Sequence, residues 1–230
     1  MTLGEPRIHV DSCASTQELL DPSMAEGAVA TADFQTSGRG RLGRSWEAPP
    51  GEALLASVLL KPPGTHPLPQ LALVAGVAVA DALERLTGLA VQIKWPNDVM
   101  LRRTKVAGIL AEARDGAVVL GLGINLNQTR ARLPERAGSL RTETGTEWDR
   151  DEVLHAVLAD LASRYEQWIE GGLDAVYGGL GSRDFLRGRR VTVDGTSGTA
   201  ELIDREGRLR IAIGHGESVV VESGEVVYER

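Results

Sequence analysis

Gly38-Arg39-Gly40-Arg41-Leu42-Gly43-Arg44, closed by Trp46, is the stretch on which the reading of this chain turns. Taken as G-x-G-x-x-G it would be a dinucleotide-binding turn. Such a turn needs a strand before it and a helix after it, with the pyrophosphate on the helix N-terminus. A strand pattern does precede it, Val29-Ala30-Thr31-Ala32-Asp33-Phe34-Gln35. On its C-terminal side stands Ser45-Trp46-Glu47-Ala48-Pro49-Pro50-Gly51, where two prolines and a glycine forbid a helix. Positions 39, 41 and 44 are arginines, whereas a dinucleotide turn relies on backbone N–H groups and a helix dipole. The stretch reads instead as a mobile, glycine- and arginine-rich loop that closes over a small anion. It points to an enzyme that handles phosphate, not to a nicotinamide site.

Composition agrees with that reading. The chain has 230 residues, 42% apolar and 25% charged, which suits one large domain or a main domain plus a small one. A net charge of −7 argues against a general nucleic-acid binder and makes the loop a local positive spot. Cys13 is the single cysteine, so no disulfide framework is expected and a reducing, cytoplasmic setting is. With no activating partner in view, Cys13 reads as a packed thiol, not a nucleophile. The N-terminus carries no signal-peptide pattern, and the apolar run 71–80 is too short to span a bilayer.

Outward from the loop, elements alternate. Residues 7–10 read as a strand, and 12–20 as a short helix start capped by Ser12 or Ser15 and stopped by Pro22. Residues 53–60 form an apolar strand, 68–86 a buried helix stopping at Gly88, and 91–95 a strand feeding a turn at Pro96. Residues 106–113 and 117–126 flank Asp115-Gly116, a strong hairpin signal. Residues 151–169 have helical spacing, ended by Gly171-Gly172. From about Gly188 short strands alternate with glycine-rich turns, which predicts a small antiparallel barrel and a boundary near residue 186.

Three further segments carry chemistry. Lys94-Trp95-Pro96-Asn97-Asp98 places a lysine, an amide and a carboxylate in one turn. Lysine occurs only at 61, 94 and 105, so Lys105 opening an apolar strand looks chosen for its compact charge. Gly121-Leu122-Gly123-Ile124-Asn125 puts glycines inside a strand, which marks either a bulge or a close approach of a ligand to the backbone. Asn125 there could read a nucleobase or cap the strand. His9, His66, His155 and His215 lack ligand spacing, so no dedicated protein metal site is expected. Trp148, Trp168 and the arginines of 130–141 read as packing and a solvated face.

Together Ser15-Thr16-Gln17, the loop 35–46, Lys94-Trp95-Pro96-Asn97-Asp98, Lys105-Val106-Ala107-Gly108-Ile109-Leu110 and Gly121-Leu122-Gly123-Ile124-Asn125 resemble biotin protein ligases, over about residues 7–228. Gln17 departs from the Asn that many members carry there. No helix-turn-helix pattern precedes Arg7, so the resemblance is to the short, monofunctional type.

The resemblance implies an α+β fold: a mixed sheet with helices, related to class II aminoacyl-tRNA synthetases and lipoate ligases, over residues 1–186. It also implies an SH3-like barrel over 187–230. Biotin and ATP, with Mg²⁺, would give biotinyl-5′-adenylate, and the acyl group would pass to a lysine of a biotin carboxyl carrier protein. By matching position, Ser15, Thr16, Gln17, Gln35, Gly38, Arg39, Gly40, Arg41, Lys105 and Gly108 would line the biotin pocket. Arg41, Arg44, Trp46, Asn97, Asp98, Lys105 and Asn125 would attend the nucleotide, with Lys105, Arg41 and Asp98 as the catalytic set. No DNA or membrane partner is expected, and a homodimer is compatible with the resemblance. The nearest alternative is a lipoate or octanoate ligase or transferase on the same fold; a non-enzymatic binder is a more distant one.

Physical chemistry supports the assignment from a separate direction. An anionic carboxylate attacking an anionic phosphate needs fixed cations where charge develops. The neutral ureido ring suits Ser, Thr and Gln partners, and a closing loop would keep water from the mixed anhydride.

Overall fold

The run Ala53–Leu60 carries leucine at 54, 55, 59 and 60, and all eight of its positions are buried. That is the pattern of a strand covered on both faces. In the computed structural model, which describes residues 1–229, this strand (β3) lies inside a seven-stranded sheet. The other six strands are β1 (Arg7–Cys13), β2 (Val29–Gln35), β4 (Val91–Lys94), β5 (Asp98–Leu101), β6 (Thr104–Arg114) and β7 (Ala117–Asn125). The order is β1-β2-β3-β7-β6-β5-β4; β1 and β2 run parallel and the remaining pairs antiparallel. Alternation along β3 separates two environments. Leu54, Ala56, Val58 and Leu60 join the main core, while Leu59 joins a small cluster with Leu20, Ala28 and Ala30.

Helix α1 (Gln70–Thr87) covers one face because it is apolar nearly all round, and Gly88 ends it in the left-handed conformation. Helix α3 (Arg150–Gly181) packs beside it. Trp168 Nε1 donates to Gln70 Oε1 at 2.9 Å, a buried polar pair that sets the rotation of one helix against the other. No helix among the described residues is long and apolar enough to cross a membrane.

After Phe185 the chain forms β8 (Arg190–Val193), β9 (Thr196–Ile203), β10 (Leu209–Gly214), β11 (Glu217–Val221) and β12 (Val226–Tyr228), a five-stranded antiparallel sheet ordered β11-β10-β9-β8-β12. Its inward residues Val191, Val193, Ile203, Leu209 and Ile211 are continuous with the main core. Asp184 ties the two parts by accepting from the N–H groups of Leu186 (3.0 Å) and Ile203 (3.2 Å).

Four elements differ from the sequence expectations. The helix start expected over 12–20 is a strand end followed by one 3-10 turn, Thr16–Leu19; parallel pairing of Ser12 with Phe34 and Cys13 with Gln35 extends β1 first. β5 lacks a sequence signal because its hairpin turn uses Arg102 and Arg103, both at positive φ, with no glycine to mark it. A short helix α2 (Leu140–Thr144), for which no element was expected, begins at the end of the 130–141 stretch read as a solvated face and is held by a capping box of Ser139 and Thr142. The helix expected to end at Gly171-Gly172 breaks at Gly172 (φ 65°, ψ −161°) and then resumes to Gly181, because Leu173, Val176 and Leu180 offer a second apolar stripe.

That backbone conformation is nearly confined to glycine, and a Cβ would also sit 3.2 Å from the His66 ring. Gly172→Ala is expected to cost about 1–3 kcal/mol, read by urea unfolding. An unchanged midpoint would mean that the break relaxes.

Candidate active site

One cleft gathers most of the expected residues. It is lined from the 15–17 turn, the 39–46 loop, the 94–98 turn and the facing strands β6 and β7. Its cationic side chains are Arg39, Arg41, Arg44, Lys94 and Lys105, against, among the described residues, the carboxylates of Asp98 and Glu225. A protein of net charge −7 thus presents a positive recess, which favours an anionic ligand.

At one end the polar groups are neutral. Ser15 caps the 3-10 turn, which points Thr16 and Gln17 inward. Gln35 Oε1 accepts from the Thr16 N–H at 2.7 Å and from its hydroxyl at 3.1 Å; the hydroxyl also meets Ser57 Oγ at 2.8 Å. Ser15, Thr16, Gln17 and Ser57 are nearly inaccessible, and the network fixes where each remaining donor or acceptor points.

At the other end charge accumulates. Asp98 lies between two lysines, 2.6 Å from Lys105 Nζ through Oδ1 and 3.3 Å from Lys94 Nζ through Oδ2. The turn that carries it is pinned to β6, since Asn97 exchanges bonds with Ile109 (Nδ2 to O, 2.7 Å; O from N, 3.0 Å). Burial pushes the Arg41 guanidinium below its ordinary value; Asp98 acts against this and Arg44 with it. An anion entering here would relieve part of that desolvation.

The 38–46 loop forms a small hairpin of its own. The Trp46 N–H donates to Gly38 O at 2.9 Å and the Gly40 N–H to Arg44 O at 2.7 Å, with Leu42 exposed at the tip (φ 56°). Trp46 lays its indole on the strands: a Cβ on Gly123 would lie 2.5 Å from Trp46 Cε2, and one on Gly108 2.9 Å from Cζ3. Lys105 Nζ is 5.5 Å from that ring's centroid. The glycines of β7 pair in regular register with β6, so they are explained by close approach of side chains and not by a bulge. Arg39 is held by Glu112 (3.3 Å) and Glu18 (3.9 Å).

Two expected residues lie elsewhere. Asn125 does not line the cleft: its amide donates to Gly138 O and accepts from Gln128 Nε2, both at 2.9 Å. Gly38 stands outside the lining and serves the loop, where a Cβ would collide with Trp46 O. Conversely, Gly224, Glu225 and Val226 of the C-terminal sheet do line the cleft, and Glu225 forms an ion pair with Arg44. Tyr228 places its ring 5.7 Å from Lys94 Nζ. No local signal marks these residues, because a contact between opposite ends of the chain has no periodicity.

Two remaining expectations concern side chains outside the cleft. Burial, then the Glu18 carboxylate, raises the Cys13 thiol, which disfavours a nucleophilic thiolate. His9 meets Asp11 and Asp33, their ligand atoms within 4.8 Å of one another, a grouping that spacing along the chain could not show because it forms across β1 and β2. Arg150 already occupies Asp33 at 2.5 Å.

A mixed sheet bearing a cationic cleft with a neutral polar end, bordered by an arginine-rich loop, suits a ligand that is neutral at one end and anionic at the other. The chain belongs to the biotin/lipoate A/B protein ligase family, whose model matches residues 9–128. Its relatives include a biotin–[acetyl-CoA-carboxylase] ligase of Mycobacterium tuberculosis, 36% identical over 89% of this chain and 80% of that protein. The bifunctional ligase/repressor BirA of Bacillus subtilis is 34% identical over 93% of this chain and 71% of its own length. Among solved structures, the biotin protein ligase from Aquifex aeolicus in complex with biotin and ATP superposes with a TM-score of 0.88 at 34% identity, covering 99% of this chain and 100% of that one.

Proposed function

We infer that this chain is a biotin–[acetyl-CoA-carboxylase] ligase, joining biotin to a carrier lysine through biotinyl-5′-AMP. The observation that carries the reading is the polarity of the cleft: neutral groups of Thr16, Gln17 and Gln35 at one end, Lys105, Lys94 and Arg41 around Asp98 at the other. A neutral bicyclic urea with an anionic tail matches that gradient.

In the first step a carboxylate oxygen forms a bond to the α-phosphorus and the bond to the β-phosphate oxygen breaks, releasing pyrophosphate. Negative charge gathers on the phosphoryl oxygens, where Lys105 and Arg41 stand as preorganised cations. In the second step the neutral carrier amine attacks the acyl carbon, forms the amide with loss of a proton, and expels AMP. Trp46 and the 38–46 hairpin cover the cleft meanwhile and keep water from the anhydride. Asp98 acts by positioning both lysines, and Arg44, drawn to Glu225, ties the loop to the C-terminal sheet.

Magnesium would arrive with the nucleotide. The lining carboxylates are Asp98 and Glu225, and each is already paired with a cation. They make no carboxylate cage, so phosphate oxygens and water would supply most of the metal's ligands. We propose that the boundary between the ligase body and the C-terminal sheet falls between residues 186 and 187.

Biotin-dependent ATP–pyrophosphate exchange, followed by transfer to a carrier domain, tests the reading. Exchange that requires lipoate or octanoate and ignores biotin would overturn it. Arg41→Gly is expected to release the adenylate early, so that bystander proteins become biotinylated; carrier-only labelling by that variant would contradict closure of the loop over the intermediate.

A further inference from the structure

The acyl-adenylate of the proposed reaction is a mixed anhydride, and a neutral amine that reaches it can open it. The chain carries few such amines. Lysine occurs only at 61, 94 and 105, and the cations of the 38–46 loop are arginines throughout. A guanidinium keeps its proton and has no lone pair to give. Arg39, Arg41 and Arg44 line the cleft and so supply charge there without attacking the acyl carbon.

The amines differ in what holds them. Lys94 and Lys105 line the cleft and share Asp98, at 3.3 Å and 2.6 Å. An amine attacks only through a lone pair, which an ammonium lacks, and contact with a carboxylate favours the ammonium. The α-amine of Met1 is taken by the Glu166 carboxylate. Lys61 stands apart. Its backbone N–H donates to Glu26 Oε1 at 2.8 Å, which fixes the main chain, while its side chain is exposed with no ion pair among the described residues. Its position sets the route by which an acyl group could arrive. β3 passes the cleft at Leu55 and Ala56, and Lys61 follows the last residue of that strand, Leu60. Extended chain from Ala56 to Lys61 spans roughly 17 Å, farther than a lysine side chain reaches. Lys61 is therefore out of range of its own cleft.

We propose that Lys61 is the one lysine of this chain that its own acyl-adenylate modifies, and that the donor is adenylate released into solution. The proposal rests on the biotin-ligase reading and adds a modification site to it. The neutral Nζ adds to the acyl carbon, the amide forms with loss of a proton, and the bond to the phosphate oxygen breaks to expel AMP. The two lysines nearest the anhydride are spared because Asp98 engages both. Biotin on Lys61 thus measures leakage from the cleft.

The experiment incubates the full chain, unaltered and as Lys61→Arg, with biotin and ATP or with synthetic biotinyl-5′-AMP, and maps biotin onto peptides by mass spectrometry. Lys61 is expected to carry at least about 10 times the label of Lys94, Lys105 or the Met1 amine. Lys61→Arg keeps the charge, should remove that label, and should leave biotin-dependent pyrophosphate exchange unchanged. Arg41→Gly should raise labelling at Lys61, and excess Nα-acetyl-lysine in the medium should suppress it by capturing free adenylate. Label that favours Lys94, Lys105 or Met1 would overturn the proposal, as would a Lys61 left unmarked by the synthetic adenylate. Label at Lys61 that withstands the scavenger would also overturn it, since a second docked copy would then be the donor. A chain marked at Lys61 by the synthetic adenylate and inert with biotin plus ATP would keep its acceptor site and lose the ligase reading.

Discussion

Lys105→Ala is expected to lower biotin-dependent ATP–pyrophosphate exchange by about 100- to 1,000-fold, with thermal stability little changed and biotin affinity lowered by a smaller factor. The charge matters most where negative charge develops on the phosphoryl group, so its removal reduces the rate more than the affinity. The backbone at this position is secured independently: the Lys105 N–H donates to Arg136 O at 3.0 Å, and its carbonyl accepts from Gly138 at 2.9 Å. The side chain can therefore be truncated without loosening β6. Asp98 would keep Lys94 as partner, at 3.3 Å. Near-normal exchange in a folded variant would take Lys105 out of the mechanism.

The second large effect is expected from Gly123→Ala. The new methyl would lie 2.5 Å from Trp46 Cε2 and 2.8 Å from Cζ2, well inside contact distance, so the indole must leave the strand and take the loop with it. The cost of such overpacking, about 1–3 kcal/mol, falls on loop closure. Biotin affinity should drop roughly 5- to 100-fold, and amides of residues 38–46 should exchange faster, while the melting temperature moves little. Unchanged or tighter biotin binding would show that the indole already leaves Gly123 when ligand enters.

Comparison of individual elements shows where local sequence suffices. The strands over 29–35 and 53–60 and the hairpin at Asp115-Gly116 are legible because each follows from a short-range rule: a run with Val29, Thr31 and Phe34, a run apolar but for Ser57, a positive-φ turn. β5 is not, since a hairpin at Arg102-Arg103 adopts its positive φ angles without a glycine to announce it. The pair Gly171-Gly172 reads as a helix end because a sequence pattern locates the weak point but not the stripe that draws the chain back onto the core.

For the site, the arginine loop, the Lys94-to-Asp98 turn and Lys105 stand out because their residue types are unusual for this chain and their spacing is local. The directions of their side chains depend on folding. Asn125 has the chemistry of a nucleotide ligand, yet Gly138 and Gln128 claim its amide. Glu225 resembles ordinary surface in sequence, yet it faces Arg44 across the cleft. Gln17 lines the cleft as expected, but only folding gives its amide –NH2 to the carbonyls of Leu110 and Val119. Chemical type and periodicity are properties of neighbours along the chain; they locate strands, turns and unusual charges, while the fold class and the roles of the charged residues followed from the family those motifs resemble. Hydrogen-bond ownership arises between residues far apart in sequence, and it is settled when the strands pair.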